Sequence, residues 1–126
     1  MDEDILKDSN FKPIYLQVFD YIIYEIFKNN FRPGEKLPSI RELSLKLKTN
    51  PNTISRSIFE LERESIIEIK RGVGSFVTTD TNIIKNMRKK YLKENLEDFL
   101  LQMENIGITK NELIEILREY IKETKD

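Results

Sequence analysis

Ser39-Ile-Arg-Glu-Leu-Ser-Leu-Lys-Leu-Lys-Thr-Asn-Pro-Asn-Thr-Ile-Ser-Arg-Ser-Ile-Phe-Glu-Leu-Glu-Arg-Glu64 is the stretch that decides the fold. Ser39 and Glu42 have the spacing of a capping box. The Ser39 hydroxyl takes the backbone N–H at Glu42, and the Glu42 carboxylate reaches back. A helix follows, with Ile40, Leu43 and Leu47 facing inward, and stops near Lys48–Thr49. Asn50-Pro51 then reads as a second start. Asn is a good N-cap, and proline fits the first helical position because an N–H there has no intrahelical partner. This second helix turns Ile54, Ile58 and Leu61 inward. Two helices separated by only a few residues make a helix-turn-helix.

Upstream, Pro13 opens a helix with two apolar rows. Ile14, Tyr15, Val18, Ile22 and Ile26 form one, and Leu16, Phe19, Ile23 and Phe27 the other. A surface helix needs one stripe, so this helix is expected to be buried on two sides and to end near Asn29–Asn30. Phe31 to Pro38 reads as a turn-rich connection. Downstream, Ile67, Ile69 and Phe76 alternate with polar residues around Gly72-Val-Gly74, which predicts a β-hairpin. Helix, helix, helix, hairpin is the winged helix-turn-helix order. After Thr81, Leu92, Leu96, Phe99, Met103 and Ile106 step by four and three, a two-in-seven seam. Gly107 is a stop and Thr109-Lys-Asn-Glu112 a further capping box. A last helix carries Leu113, Ile114, Leu117, Tyr120 and Ile121. The fold class is therefore mainly α with a small β-hairpin. Residues 11–79 form a winged helix-turn-helix domain, and residues 80–126 a C-terminal two-helix hairpin.

Composition narrows the chemistry. The 126 residues include no His, Cys or Trp. That excludes zinc fingers, Cys nucleophiles, Ser-His-Asp triads and disulfides. No catalytic residue, metal site or cofactor is expected, because the acids are scattered over helix surfaces rather than gathered in a cleft. The acidic Met-Asp-Glu-Asp start is unlike a signal peptide, and no apolar run approaches a membrane span, so a soluble cytoplasmic protein without a membrane partner is expected. The net charge is −1, but it is unevenly placed. Residues 1–27 carry net −4, whereas residues 28–79 hold ten basic and six acidic groups, net +4. A basic middle between acidic or neutral flanks is either an electrostatic footprint for phosphate or ordinary surface variation.

Several ordered blocks then resemble one family. Pro13-Ile-Tyr-Leu-Gln-Val, Pro33-Gly-Glu-Lys-Leu-Pro-Ser-Ile-Arg-Glu-Leu, Asn50-Pro-Asn-Thr-Ile-Ser-Arg-Ser, Leu61-Glu-Arg-Glu and Gly72-Val-Gly-Ser-Phe-Val77 are similar to the GntR family of bacterial transcription regulators. The short two-helix tail and the Asn-Pro-Asn-Thr block look like its YtrA subfamily. Many members carry Ser-Arg-x-Thr-Val-Arg at the start of the third helix. Here those Arg places hold Pro51 and Ser55, with Arg56 one residue on, so an operator cannot be borrowed. The place after Glu64, often Gly in the family, is Ser65.

The resemblance implies a sequence-specific DNA-binding regulator, a repressor acting as a homodimer on an operator near its own operon. The competing expectation is a winged-helix protein-interaction module without DNA binding. The second helix of a helix-turn-helix puts its first residues against base edges. Those residues are Asn52, Thr53, Ser55 and Arg56. Asn suits adenine, Arg suits guanine, and Ser or Thr either base or phosphate. Asn52 equally suits local capping. The resemblance implies a DNA contact from Arg41, while Ser39 caps its helix and can also touch phosphate. Arg71, Gly72 and Gly74 form either a wing that lets backbone approach the sugar-phosphate or simply a tight turn. Lys36, Lys46, Lys48 and Lys70 are generic phosphate neutralisers. The seam Leu92, Leu96, Phe99 and Met103, with Leu117 and Tyr120, either packs within its own chain or forms the dimer interface. The expected partners are double-stranded operator DNA and a second copy. No effector ligand can be named, since so short a tail leaves little room for a pocket of roughly 300 Å³ or more.

Overall fold

The computed structural model describes Leu6 and residues 12–124. The described elements are α1 (Ile14–Phe27), α2 (Ile40–Leu47), α3 (Pro51–Arg63), β1 (Ile67–Lys70), β2 (Gly74–Val77), α4 (Thr81–Asn105) and α5 (Lys110–Glu123). The chain parts into two units between residues 86 and 87, so α4 begins in one and ends in the other.

The first unit is a winged helix-turn-helix. Val18, Ile22, Ile23 and Ile26 of α1, Leu43 and Leu47 of α2, and Ile54, Ile58 and Leu61 of α3 are buried together with Leu37, Ile66, Ile67 and Val77. The capping box forms as the Ser39–Glu42 spacing requires: Glu42 N–H donates to Ser39 Oγ at 3.0 Å, and Ser39 N–H to Glu42 Oε1 at 3.0 Å. Asn50 caps α3 by accepting from the Asn52 N–H at 2.7 Å, with Pro51 at the first helical position.

One inward assignment fails, that of Ile40, and Ile69 of the alternating hairpin pattern also stands exposed. Ile40 is 40% exposed because it lies in the first turn of α2, ahead of the stripe set by Leu43 and Leu47. Ile69 is 43% exposed because only the Ile67 end of β1 meets the core; the rest of the strand runs out into solvent. Helix α1 also ends earlier than expected, at Phe27, with Lys28, Asn29 and Asn30 forming its closing turn.

The hairpin pairs Ile67 with Val77 and Lys70 with Gly74. It gains a bridging segment that the sequence does not announce, with Lys36 opposite Phe76 in an isolated antiparallel bridge. Gly34 N–H donates to the Val77 carbonyl at 2.9 Å, Val77 N–H to that of Glu35 at 2.9 Å, and Leu37 N–H to that of Ser75 at 2.8 Å. The segment between Pro33 and Pro38 reads as loop because it is bracketed by prolines and holds one apolar residue. Its pairing satisfies the outer edge of β2, whose backbone groups need partners.

In the second unit, Ile106, Gly107, Ile108 and Thr109 join α4 to α5. Gly107 takes a left-handed conformation, φ +81°, and Thr109 and Glu112 form the second capping box. Among the described residues Leu113 is the buried residue of α5, and α4 buries none.

Candidate nucleic-acid interface

Helix α3 divides cleanly. Ile54, Ser57, Ile58 and Leu61 face the core, while Asn52, Ser55, Arg56 and Phe59 are exposed. Local capping does not occupy the Asn52 side chain, because the capping oxygen belongs to Asn50. Ser55 is exposed, and Thr53 is half-buried with its carbonyl 3.1 Å from the Ser57 hydroxyl.

Arg56 does not project freely. Its guanidinium lies 3.6 Å from the centroid of the Tyr15 ring, on α1. Ile14, Tyr15, Asn52, Thr53 and Arg56 together line a shallow cavity of ≈340 Å³ beside the start of α3. Three of the four α3 candidates therefore share one patch. Ser39 and Arg41 stand in the opening of α2, and Arg71 and Gly72 at the hairpin turn, outside the lining of that cavity.

The charges on this unit are unevenly engaged. Arg63 pairs with Glu60 at 3.2 Å and Lys28 with Glu25 at 3.6 Å. Among the described residues no ion pair engages Arg41, Arg56 or Arg71. Cations without a carboxylate partner are free to meet an anion from outside. Lys46 sits 5.6 Å from the Tyr21 ring and Lys70 4.6 Å from that of Phe76. A hydrogen bond to Tyr21 holds the Lys46 ammonium above its usual pKa, so it stays charged. The hydrogen bonds from Ser39, the backbone one first, hold the Glu42 carboxyl below its ordinary value.

Both wing glycines have a backbone reason. Gly72 has φ +76° with open space where a side chain would stand. Gly74 has φ +148°, and a Cβ there would come within 2.7 Å of Lys36 Cε. The turn thus needs glycine for its geometry, while Lys36 is packed across β2 rather than extended from a loop.

The sequence reading missed four features of this face. The half-buried Tyr15, assigned to the core row of α1, carries the stack with Arg56. Ser57 ties α3 to α1: it is wholly buried and its hydroxyl donates to the Tyr15 carbonyl at 2.6 Å. Phe59 and Val73 leave large apolar groups in solvent, on α3 and at the hairpin tip. The exposed Phe59 was findable, since it follows Ser55 by four residues and so shares its face.

In the tail, Leu92 is 66% exposed, Leu96 51% and Phe99 38%; Leu117 and Tyr120 are also exposed, and Met103 is half-buried. Little of the seam is therefore spent within the chain. Between the end of α4 and the start of α5 runs an open groove of ≈500 Å³, bordered by Glu97, Leu100, Met103, Glu104, Ile108 and Leu113 among others. It is larger than so short a tail was expected to allow, because among the described residues the two helices bury little besides Leu113. Among the described residues no helix is long and apolar enough to cross a membrane, and no three His, Cys, Asp or Glu are gathered as a metal would need.

Comparison with known proteins agrees with this architecture. Residues 14–77 match the model of the bacterial regulatory proteins of the gntR family. The chain is 42% identical over 109 residues to YhcF of Bacillus subtilis (strain 168), named an uncharacterized HTH-type transcriptional regulator, covering 86% of this chain and 90% of that one. It is 36% identical over 113 residues to the HTH-type transcriptional repressor YtrA of the same strain, covering 88% and 83%. Among solved structures, a GntR family transcriptional regulator from Listeria monocytogenes superposes with a TM-score of 0.84 at 38% identity, over 89% of this chain and 98% of that one. The DNA-binding domain of AraR in complex with operator ORX1 superposes at 0.53 with 30% identity, over 56% and 86%. With residues 14–77 matched by the family model and relatives aligned over most of the chain, the chain belongs to the GntR family of bacterial regulatory proteins.

Proposed function

We propose that the protein is a transcriptional repressor, cytoplasmic and without catalytic activity, that binds an operator as a homodimer. The observation that carries this reading is the outer face of α3: Asn52, Ser55 and Arg56 are exposed, capping leaves the Asn52 side chain available, and Arg56 has no acidic partner among the described residues. These are side chains that read base edges when a recognition helix enters the major groove. Arg41 on α2 and Ser39 at its N-cap, and Arg71 with the glycines of the turn, supply contacts to the DNA backbone that fix orientation. The likeness to an operator-bound DNA-binding domain supports the same docking.

Residues 11–79 serve as the DNA-binding domain and residues 80–126 as the dimerisation tail. Leu92, Leu96, Phe99, Met103, Leu117 and Tyr120 are the contacts with the second copy. The exposure of Leu92, Leu96, Phe99, Leu117 and Tyr120 supports this, since large exposed apolar surface on a soluble domain marks an interaction site. One recognition helix makes too few contacts for operator affinity, and two related by a dimer axis read half-sites about one DNA turn apart. Repression then follows from occupancy, the dimer covering an operator beside its own operon and excluding polymerase.

The test is titration of the full chain with the DNA flanking its own gene and with a scrambled duplex of equal length, at two salt concentrations. The reading expects preference for the flanking DNA, and affinity that falls as salt rises because phosphate contacts release counterions. Equal binding to both duplexes with no salt dependence overturns it.

A further inference from the structure

We propose that Tyr15 is a positioning residue for sequence recognition: its ring holds the Arg56 guanidinium in the orientation in which α3 presents it to DNA. The inference rests on the DNA-binding reading above, and concerns a residue on α1 rather than on the recognition helix.

An exposed arginine on a helix samples many rotamers, and ordering one of them on binding costs affinity. The 3.6 Å face-on stack removes much of that freedom in advance. It does so without using the donors, because the five N–H groups of a guanidinium lie at the edge of its plane while the ring covers only the face. No acid competes for those donors among the described residues.

The platform is itself fixed. Tyr15 is half-buried, and its carbonyl accepts the Ser57 hydroxyl at 2.6 Å. Ser57 is wholly buried and is the next residue after Arg56. Adjacent positions of α3 thus grip Tyr15 from two sides, one on its backbone and one on its ring. Lys46 and Lys70 also lie over rings, but an ammonium is a point charge with no plane to orient. Asn52 lines the same cavity, so the preset guanidinium stands beside a second expected base reader.

The experiment uses the full chain. A pool of duplexes with a randomised core is selected with the wild type and sequenced. The best-bound duplex, its single-base-pair variants and its scrambled form are then titrated with Tyr15→Phe, Tyr15→Leu, Tyr15→Met, Arg56→Ala and Arg56→Lys, and with each Tyr15 variant combined with Arg56→Ala. Tyr15→Phe keeps the ring and discriminates as the wild type does. Tyr15→Leu loses about two- to fivefold in the cognate-to-scrambled ratio, the size of a surface cation–π contact. That loss falls at the base pairs that Arg56→Ala relaxes, and disappears in the Arg56→Ala background. Arg56→Lys loses discrimination while keeping the salt dependence, as a reader of base edges requires; Tyr15→Met, unbranched and without a ring, carries the test of Tyr15 if Tyr15→Leu does not fold. A lowered Tm with an unchanged ratio makes Tyr15 merely structural and overturns the proposal. Equal weakening on both duplexes, or an effect that persists with Arg56→Ala, overturns it too. If the wild type selects no sequence from the pool, the DNA-binding reading falls first, which is a separate result.

Discussion

Replacing Ser65 with glycine should stabilise the protein by about 0.5–1 kcal/mol, although Ser65 is exposed and touches nothing that the change removes. The reason is the end of α3. Ser65 N–H donates to the Glu62 carbonyl at 2.9 Å and Ile66 N–H to that of Leu61 at 3.1 Å, the paired bonds of a Schellman motif. That motif forces Ser65 to φ +63°. An L-residue there is strained by roughly 1–2 kcal/mol, and glycine is not. Glycine returns about 0.4–1 kcal/mol through the greater freedom of the unfolded chain, which leaves the net gain stated. Asn29 closes α1 in the same way, at φ +64°, with Asn29 N–H on the Ile26 carbonyl and Asn30 N–H on that of Glu25. Asparagine tolerates the left-handed region, so Asn29→Gly should be near neutral. Urea denaturation followed by circular dichroism, at one fixed protein concentration, measures both. A Ser65→Gly variant no more stable than wild type, at unchanged m-value, would refute the strain argument. An equal gain at Asn29 would show that the gain owes nothing to residue type.

Phe99→Asp puts a charge in the middle of an exposed seam, so each protomer should keep its fold while sedimentation shows the dimer dissociated; a fully dimeric variant would place Phe99 outside the interface. Arg71→Ala should weaken binding to cognate and scrambled duplexes alike and lower the salt slope by about 1, the mark of a phosphate contact; an altered base preference would make Arg71 a reader. The Ser39 hydrogen bonds lower the Glu42 pKa in the folded state, so their stabilisation is present above the unfolded carboxylate pKa and is lost as pH falls through the folded one. Stability measured from neutral pH into the acid range should therefore fall less steeply for Glu42→Gln than for wild type, and identical slopes would show that the capping box contributes nothing to acid sensitivity.

Helix starts in this chain are legible because they are written in side chains. Ser39, Asn50 and Thr109 each carry the oxygen that the first turn needs, and all three cap as their spacing implies. Helix stops are written in backbone. Asn29, Lys48, Ser65 and Gly107 all take positive φ at or just beyond a helix end; Gly107 advertises this by residue type and Asn29 more weakly, whereas Lys48 and Ser65 do not. The end of α1 is therefore legible only to within a turn. The bridge to β2 is hidden for a related reason: the segment from Gly34 to Leu37 pairs through backbone groups that any residue possesses. Ile40 and Ile69 fit an apolar pattern without being buried, because periodicity finds the stripe but not how far along an element the core extends.

The DNA face and the tail differ in what their sequences can convey. Arg56 and Asn52 are conspicuous by type and position, but what they can do depends on partners the local sequence does not contain. Tyr15 and Ser57 meet from 42 residues apart, and only their meeting decides that Arg56 is held rather than free. The seam from Leu92 to Met103 poses the opposite case. Its two-in-seven spacing announces that a helix face wants a partner, and the exposure of Leu92, Leu96 and Phe99 shows that the chain leaves the face largely uncovered. A period of this kind encodes the need for burial without the identity of the surface that meets it. On the proposed reading a second copy meets that need, and an assembly with twofold symmetry would then present two α3 helices to two half-sites.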